Sequence, residues 1–230
     1  MKKKITFWLI VAVLFAVWIF VAVLSASRYY KEFSGEKLIE INKTLNDEYI
    51  SSNFKIQINY KIDDNYKKVT GSAFIYKKED NEYYLLTNKH VVELPENISE
   101  VKSLVIDYRD NGYNYELVKQ DLEEDLAIIK IKSSLDYKIL EFDNSKLSKK
   151  DKALNISSAL GYHNRIEYGY FEGLYNDKNA YSIQCNQGSS GSAILNSNYK
   201  ITGILTEILH TDNVDYSLAI PTSKILNFIA

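Results

Sequence analysis

The sequence predicts an all-β protein, a sandwich or a set of barrels, preceded by one long apolar segment. Three observations lead there. Runs of five to ten residues rich in β-branched and aromatic side chains recur at intervals of about ten residues. Polar turn signals separate them, and helical periodicity is confined to two short stretches. The nineteen tyrosines suit such half-buried strands, which can bury a ring and keep its hydroxyl wet.

Taken in order, Lys2, Lys3 and Lys4 precede an uncharged run, residues 5–24. As a helix it would be about 30 Å long, the thickness of a bilayer's hydrocarbon core. The leading lysines place the N-terminus in the cytoplasm and the rest of the chain outside. Residues 1–27 are thus expected to be a cytoplasmic N-terminus and a single transmembrane anchor. Leu24, Ser25 and Ala26 also allow a cleaved signal peptide and a secreted product, although the run exceeds the usual ~7–15 apolar residues. Residues 28–52 read as a linker and short helix. Ser34 is a candidate cap, Glu36 suits the first turn, and Leu38, Ile41, Leu45 and Tyr49 share a face.

From residue 53 the period becomes two: Phe54, Ile56, Ile58, Tyr60 and Ile62 alternate with polar residues up to a turn at Asp63, Asp64 and Asn65. Further strands are expected at "VTGSAFIYK", "YYLLTNKHVV", "SLVIDYR", "YNYELVK" and "LAIIKIK", with Asp110-Asn111-Gly112 as a hairpin signal. The polar stretch 143–152 is the best boundary, with about six strands on either side. The second set is "ALNISSAL", "IEYGYFEGLY", "AYSIQC", "SAILN", "KITGILTEI" and "YSLAIP". Pro221 then opens a short C-terminal helix, 221–229. The expected division is a first barrel at about 53–142 and a second at about 153–220, within a domain spanning 53–230.

Composition narrows the function classes. A formal charge of -2 with interleaved signs gives no nucleic-acid surface. Cys185 is the only cysteine, so no intrachain disulfide forms. With three scattered histidines it supplies no zinc site, and no metal or cofactor is expected.

"QGSSGSAIL", 187–195, raises the question of a serine nucleophile. A serine needs a base, and His90, in "LLTNKHVV" at the end of an apolar strand, is held where the backbone can fix an imidazole. Asp125, in "EEDLAIIKI", is the last acid before an apolar strand. The order His, Asp, Ser differs from the Ser, acid, His order of α/β-hydrolases, and 188–192 does not fit their G-x-S-x-G elbow.

These stretches, over 69–228, resemble trypsin-like serine proteases of the chymotrypsin fold, closest to the bacterial HtrA or Deg branch. "GSAFIY" with "LLTNKHVV" is similar to the family's histidine box, "DLAIIKI" to its Asp-Leu-Ala box, and "GSSGSAILN" to its Gly-x-Ser-Gly loop. "KITGIL" and "LAIPTSKILNFI" are similar to the strand after the nucleophile and to the closing strand and helix. The resemblance implies two six-stranded antiparallel β-barrels and a serine endopeptidase acting on protein or peptide substrates. It implies Ser190 as nucleophile, His90 as general base, Asp125 as its orienting acid, and the Gly188 and Ser190 N–H groups as oxyanion hole. Ser189 and Ser192 become structural neighbours. Thr206 stands where the family often has a serine that hydrogen-bonds the triad carboxylate.

Departures accompany the likeness. Ser192 and Ala193 follow the loop where the family usually has proline or glycine, no PDZ domain follows the closing helix, and "GYHNRIEYGYFEG" diverges. The primary pocket is expected between "YSIQCNQ" and "GILTEIL", with Gln184 near its base and Leu205 across from it, which favours a modest uncharged P1 side chain. His163 and His210 read as solvated loop residues and Cys185 as a small buried one. The resemblance also allows a homo-oligomer. The competing function is a catalytically silent trypsin-fold binding or sensor module at the membrane surface.

Overall fold

A computed structural model describes residues 15–19, 35–211 and 214–230. The chain divides into two units, Met1–Asp47 and Glu48–Ala230. In the first, residues 15–19 are helical and exposed, and α1 spans Gly35–Thr44 with Glu36 in its first turn and Lys43 in its last. The expected membrane segment otherwise falls outside the described residues, as does the candidate cap Ser34. Among the described residues no helix is long and apolar enough to cross a membrane.

The second unit begins with a π-helical turn ending at Tyr49 and a 3-10 turn, Ile50–Ser52. Seven strands follow: β1 Asn53–Ile62, β2 Asn65–Glu79, β3 Glu82–Thr87, β4 Ser99–Ile106, β5 Gly112–Tyr113, β6 Glu116–Asp121 and β7 Leu126–Lys132. β1 and β2 form a hairpin whose two loop residues, Asp63 and Asp64, both have positive φ, the geometry that matches strand twist. The alternation read from β1 is the one that packs: Phe54, Ile56 and Ile58 are fully buried with Ile75, Leu85, Val105 and Ile129.

The strand order is β5-β4-β1-β2-β3-β7-β6, a seven-stranded sheet rather than the six-stranded closed barrel expected here. The extra strand comes from "YNYELVK", which the structure splits. Asp107 accepts hydrogen bonds from the Arg109 and Asn111 N–H groups, and the tight turn this makes lays β5 on β4. After Tyr113 the chain crosses to the opposite edge and pairs as β6 with β7. β5 and β6 are joined covalently but share no ladder, so the sheet curls without closing.

The second half closes as expected. β8 Lys152–Ser157, β9 Arg165–Tyr175, β10 Lys178–Tyr181, β11 Ala193–Leu195, β12 Ile201–Leu209 and β13 Tyr216–Pro221 form a six-stranded antiparallel barrel. Ala153, Phe171, Tyr181, Ile183, Ile194, Leu205 and Ala219 fill it. The one-turn helix α2, Lys89–Val92, follows β3, and α3, Thr222–Ile229, ends the chain with Pro221 as its cap.

The two halves are stitched where β2 meets the serine-rich loop. The Ser72 N–H donates to Ser190 O at 2.8 Å. The Ser72 hydroxyl donates to Gly188 O and accepts from the Ser158 N–H, each at 2.8 Å.

Candidate active site

β3 ends at Thr87, so His90 lies not on a strand end but in the helical turn α2. The residues before it explain why. The Asn88 carboxamide and the Lys89 N–H both donate to Asp125 O at 3.1 Å, drawing the chain off the β3 ladder and towards the turn before β7. Asp125 itself has φ +53, a left-handed conformation that Asp tolerates better than most residues. Its side chain then faces α2. Oδ1 accepts the His90 N–H at 3.0 Å, and Oδ2 lies 2.8 Å from His90 Nδ1. Burial pushes the Asp125 carboxyl up, but the hydrogen bonds from the His90 ring, the His90 N–H and Thr206 outweigh it and hold the group below its ordinary value. It is therefore ionised through the neutral range.

Thr206, on β12, connects this pair to the serine loop. Its hydroxyl donates to Asp125 Oδ2 at 2.8 Å, while its carbonyl accepts the Ser190 hydroxyl at 3.1 Å. Asp125 and Ser190, 65 positions apart in the chain, thus meet on one residue of the second barrel. Of the three serines, Ser189 and Ser192 are fully buried. The Ser189 hydroxyl lies 3.2 Å from that of Ser157, and the Ser192 hydroxyl takes a bond from Asn155 and donates to Ser189 O. Ser190 alone is partly open to solvent.

The two proposed oxyanion donors are oriented by bonds made on the other side of their peptide planes. Gln187 O accepts the Leu160 N–H at 2.7 Å, and Ser189 O accepts from the Ser192 N–H and hydroxyl. In a trans peptide the N–H points opposite to the carbonyl. The Gly188 and Ser190 N–H groups therefore face away from those acceptors, and neither donates to a group among the described residues. Gly188 has φ +95, and a Cβ there would stand 2.6 Å from Ser158 O, so backbone packing requires the glycine.

Gly191 is tighter still. Its φ is +87, and a Cβ would lie 2.1 Å from Ser72 O and 2.4 Å from Thr87 Oγ1. Because Ser72 also holds Gly188 and Ser190, Gly191→Ala should cost about 3 kcal/mol of stability in urea unfolding, through overpacking and left-handed strain.

A cavity of about 560 Å³ lies between 182–187 and the segment around Ile208, His210, Val214 and Asp215. Gln184 lines it. Leu205 does not, contrary to expectation: it is 2% exposed and packs in the barrel core, because its side chain alternates away from the cleft on β12. His210 Nδ1 lies 3.0 Å from Asp215 Oδ1, an acid at the cavity that the sequence reading did not single out. Cys185 also lines it, and burial pushes its thiol up to about 12, which removes it as a competing nucleophile at neutral pH. His163 is not the solvated residue expected. It is largely buried, with Nε2 3.6 Å from Asp110 Oδ1, and burial lowers its pKa. It contacts none of the site residues. Ser72 and Leu160 were also missed, since the hydroxyl of the first and the N–H of the second bond to distant backbone groups that no motif encodes.

The family described as "Trypsin-like peptidase domain" matches residues 71–204. The chain is 29% identical over 173 residues to the "Serine protease Do-like HtrA" of Bacillus subtilis (strain 168), covering 68% of this chain and 37% of that protein. It is 27% identical over 185 residues to the "Serine protease HtrA-like" of Staphylococcus aureus (strain NCTC 8325 / PS 47), covering 69% of this chain and 23% of that one. It therefore spans well under half the length of these relatives. The solved serine endoprotease from Yersinia pestis shares the fold, with a TM-score of 0.66 at 23% identity over 82% of this chain and 64% of that one. From the span of the family match, which takes in His90, Asp125 and the serine loop, the chain belongs to the trypsin-like peptidase domain family.

Proposed function

We propose that the chain is a serine endopeptidase in which Ser190 is the nucleophile, His90 the general base and Asp125 the acid that orients it. The observation that carries this reading is the double role of Thr206, which binds Asp125 through its hydroxyl and Ser190 through its carbonyl. The Ser190 hydroxyl now rests on Thr206 O. Rotation about its Cα–Cβ bond would release that contact and turn Oγ to the cleft. Oγ then attacks the scissile carbonyl carbon as His90 Nε2 takes its proton. Asp125 stabilises the resulting imidazolium, and the Gly188 and Ser190 N–H groups bind the oxyanion. Collapse expels the amine with the proton from His90 and leaves an acyl-Ser190 ester. Water, deprotonated by His90, hydrolyses the ester and restores the enzyme.

The apolar run 5–24 supports a single-pass anchor with the peptidase on the extracytoplasmic side, cleaving proteins there. Gln184 at the cavity supports a modest uncharged P1 side chain. Labelling with a fluorophosphonate probe tests the chemistry. Wild type should form an adduct and Ser190→Ala none. Intact, folded wild type that takes no label would instead identify a silent binding module.

A further inference from the structure

The turn 158–162 carries two large apolar side chains that the fold does not use. Leu160 is 58% exposed and Tyr162 is 65% exposed. Leu160 also has φ +56 and ψ 21, a left-handed conformation that normally falls to glycine or asparagine. A leucine held there accepts backbone strain while more than half of its apolar surface stays in water. Strain of this kind collects at functional sites.

Its position says what it serves. The Leu160 N–H is bonded to Gln187 O, and its nitrogen is 3.4 Å from where a Cβ on Gly188 would be, so it adjoins the proposed oxyanion donor. The turn packs on β2 of the first half: Ser158 N is bonded to Ser72 Oγ, and a Cβ on Gly161 would touch Thr70. The first half carries His90, which must protonate the departing amine. The cavity lined by 182–187, Ile208 and His210, in the second barrel, would take the acyl side as the proposed primary pocket. The turn therefore borders the leaving-group side of the cleft.

We propose that Leu160, with Tyr162 beside it, selects substrates with an apolar side chain on one of the first two residues after the scissile bond. This inference rests on the proposed peptidase reading. The test uses internally quenched peptides that differ only in leucine or serine at each of those two positions. The ratio of their kcat/KM values is measured on fluorophosphonate-titrated enzyme, so that loss of folded protein cancels. Wild type should prefer leucine by about tenfold at one position. Leu160→Asn, which keeps the left-handed turn, should bring the ratio close to one, and Leu160→Met should retain it. A wild-type ratio near one, or a preference that survives Leu160→Asn, overturns the inference and leaves the peptidase reading intact. Absence of labelling in wild type overturns both.

Discussion

Replacing Ser190 by alanine should lower kcat by about 10⁶-fold and replacing Asp125 by asparagine by about 10⁴-fold, with the fold preserved in both. The first change removes the oxygen proposed to attack. The second is more instructive, because the hydrogen-bond pattern decides which way the new amide turns. At Oδ1 the hydrogen-bond partner among the described residues is the His90 N–H, a fixed donor that demands an oxygen. At Oδ2 the neighbours are His90 Nδ1 and the Thr206 hydroxyl, both able to accept. The amide therefore keeps its oxygen at Oδ1 and puts NH₂ at Oδ2. That arrangement forces Nδ1 to accept, which places the imidazole proton on Nε2, where the proposed nucleophile would need a base. A kcat within tenfold of wild type for Asp125→Asn, measured on folded protein, would falsify the tautomer role.

A large effect on stability is expected at Asp107. This carboxylate is fully buried, yet no lysine or arginine pairs with it among the described residues. Hydrogen bonds compensate it instead: the Arg109 and Asn111 N–H groups, the Asn111 carboxamide and the Tyr137 hydroxyl, all within 2.9 Å. Tyr137 packs edge-on to Phe54 and Tyr83 with ring centroids 5.1 Å apart in each case, so the polar cluster sits against the first core. Asp107→Ala strands these donors in a dry site and should cost on the order of 3 kcal/mol, read as a lower urea midpoint with an unchanged slope.

The pH dependence has a definite sign. Burial raises the Asp107 carboxyl, but the donors from Asn111, Tyr137 and Arg109 overcome it and hold the folded value below the ordinary one. A depressed carboxylate stabilises the fold above its unfolded value of about 3.9, and that contribution disappears as pH falls through the folded value. The gap between wild type and Asp107→Ala should stay constant from pH 5 to 8 and narrow below about pH 4. A cost under 1 kcal/mol at neutral pH would mean that water reaches the turn.

Periodicity in the sequence was enough to read the strands, because a half-buried strand must alternate: Phe54, Ile56 and Ile58 face the core as their spacing requires. It could not count the sheet correctly. "YNYELVK" has the alternation of one strand, but the turn built on Asp107 lays Tyr113 on β4 while the residues from Glu116 onward pair with β7 at the other edge. The pocket position expected of Leu205 followed from the resemblance and not from a strand pattern, and β12 instead turns that side chain into the barrel core, beside a bulge between Leu205 and Glu207.

By itself the sequence determined the all-β class and the His90, Asp125 and Ser190 order that pointed to a family, both of which depend on local pattern or on residues quoted as they stand. Only the tertiary structure decided how those residues are oriented. Thr206 reaches Asp125 across 81 positions and Ser72 reaches Gly188 across 116. Leu160 aims the Gly188 N–H through a carbonyl on another loop. A hydrogen bond between distant segments is a property of how two halves pack, and no spacing along the chain records it.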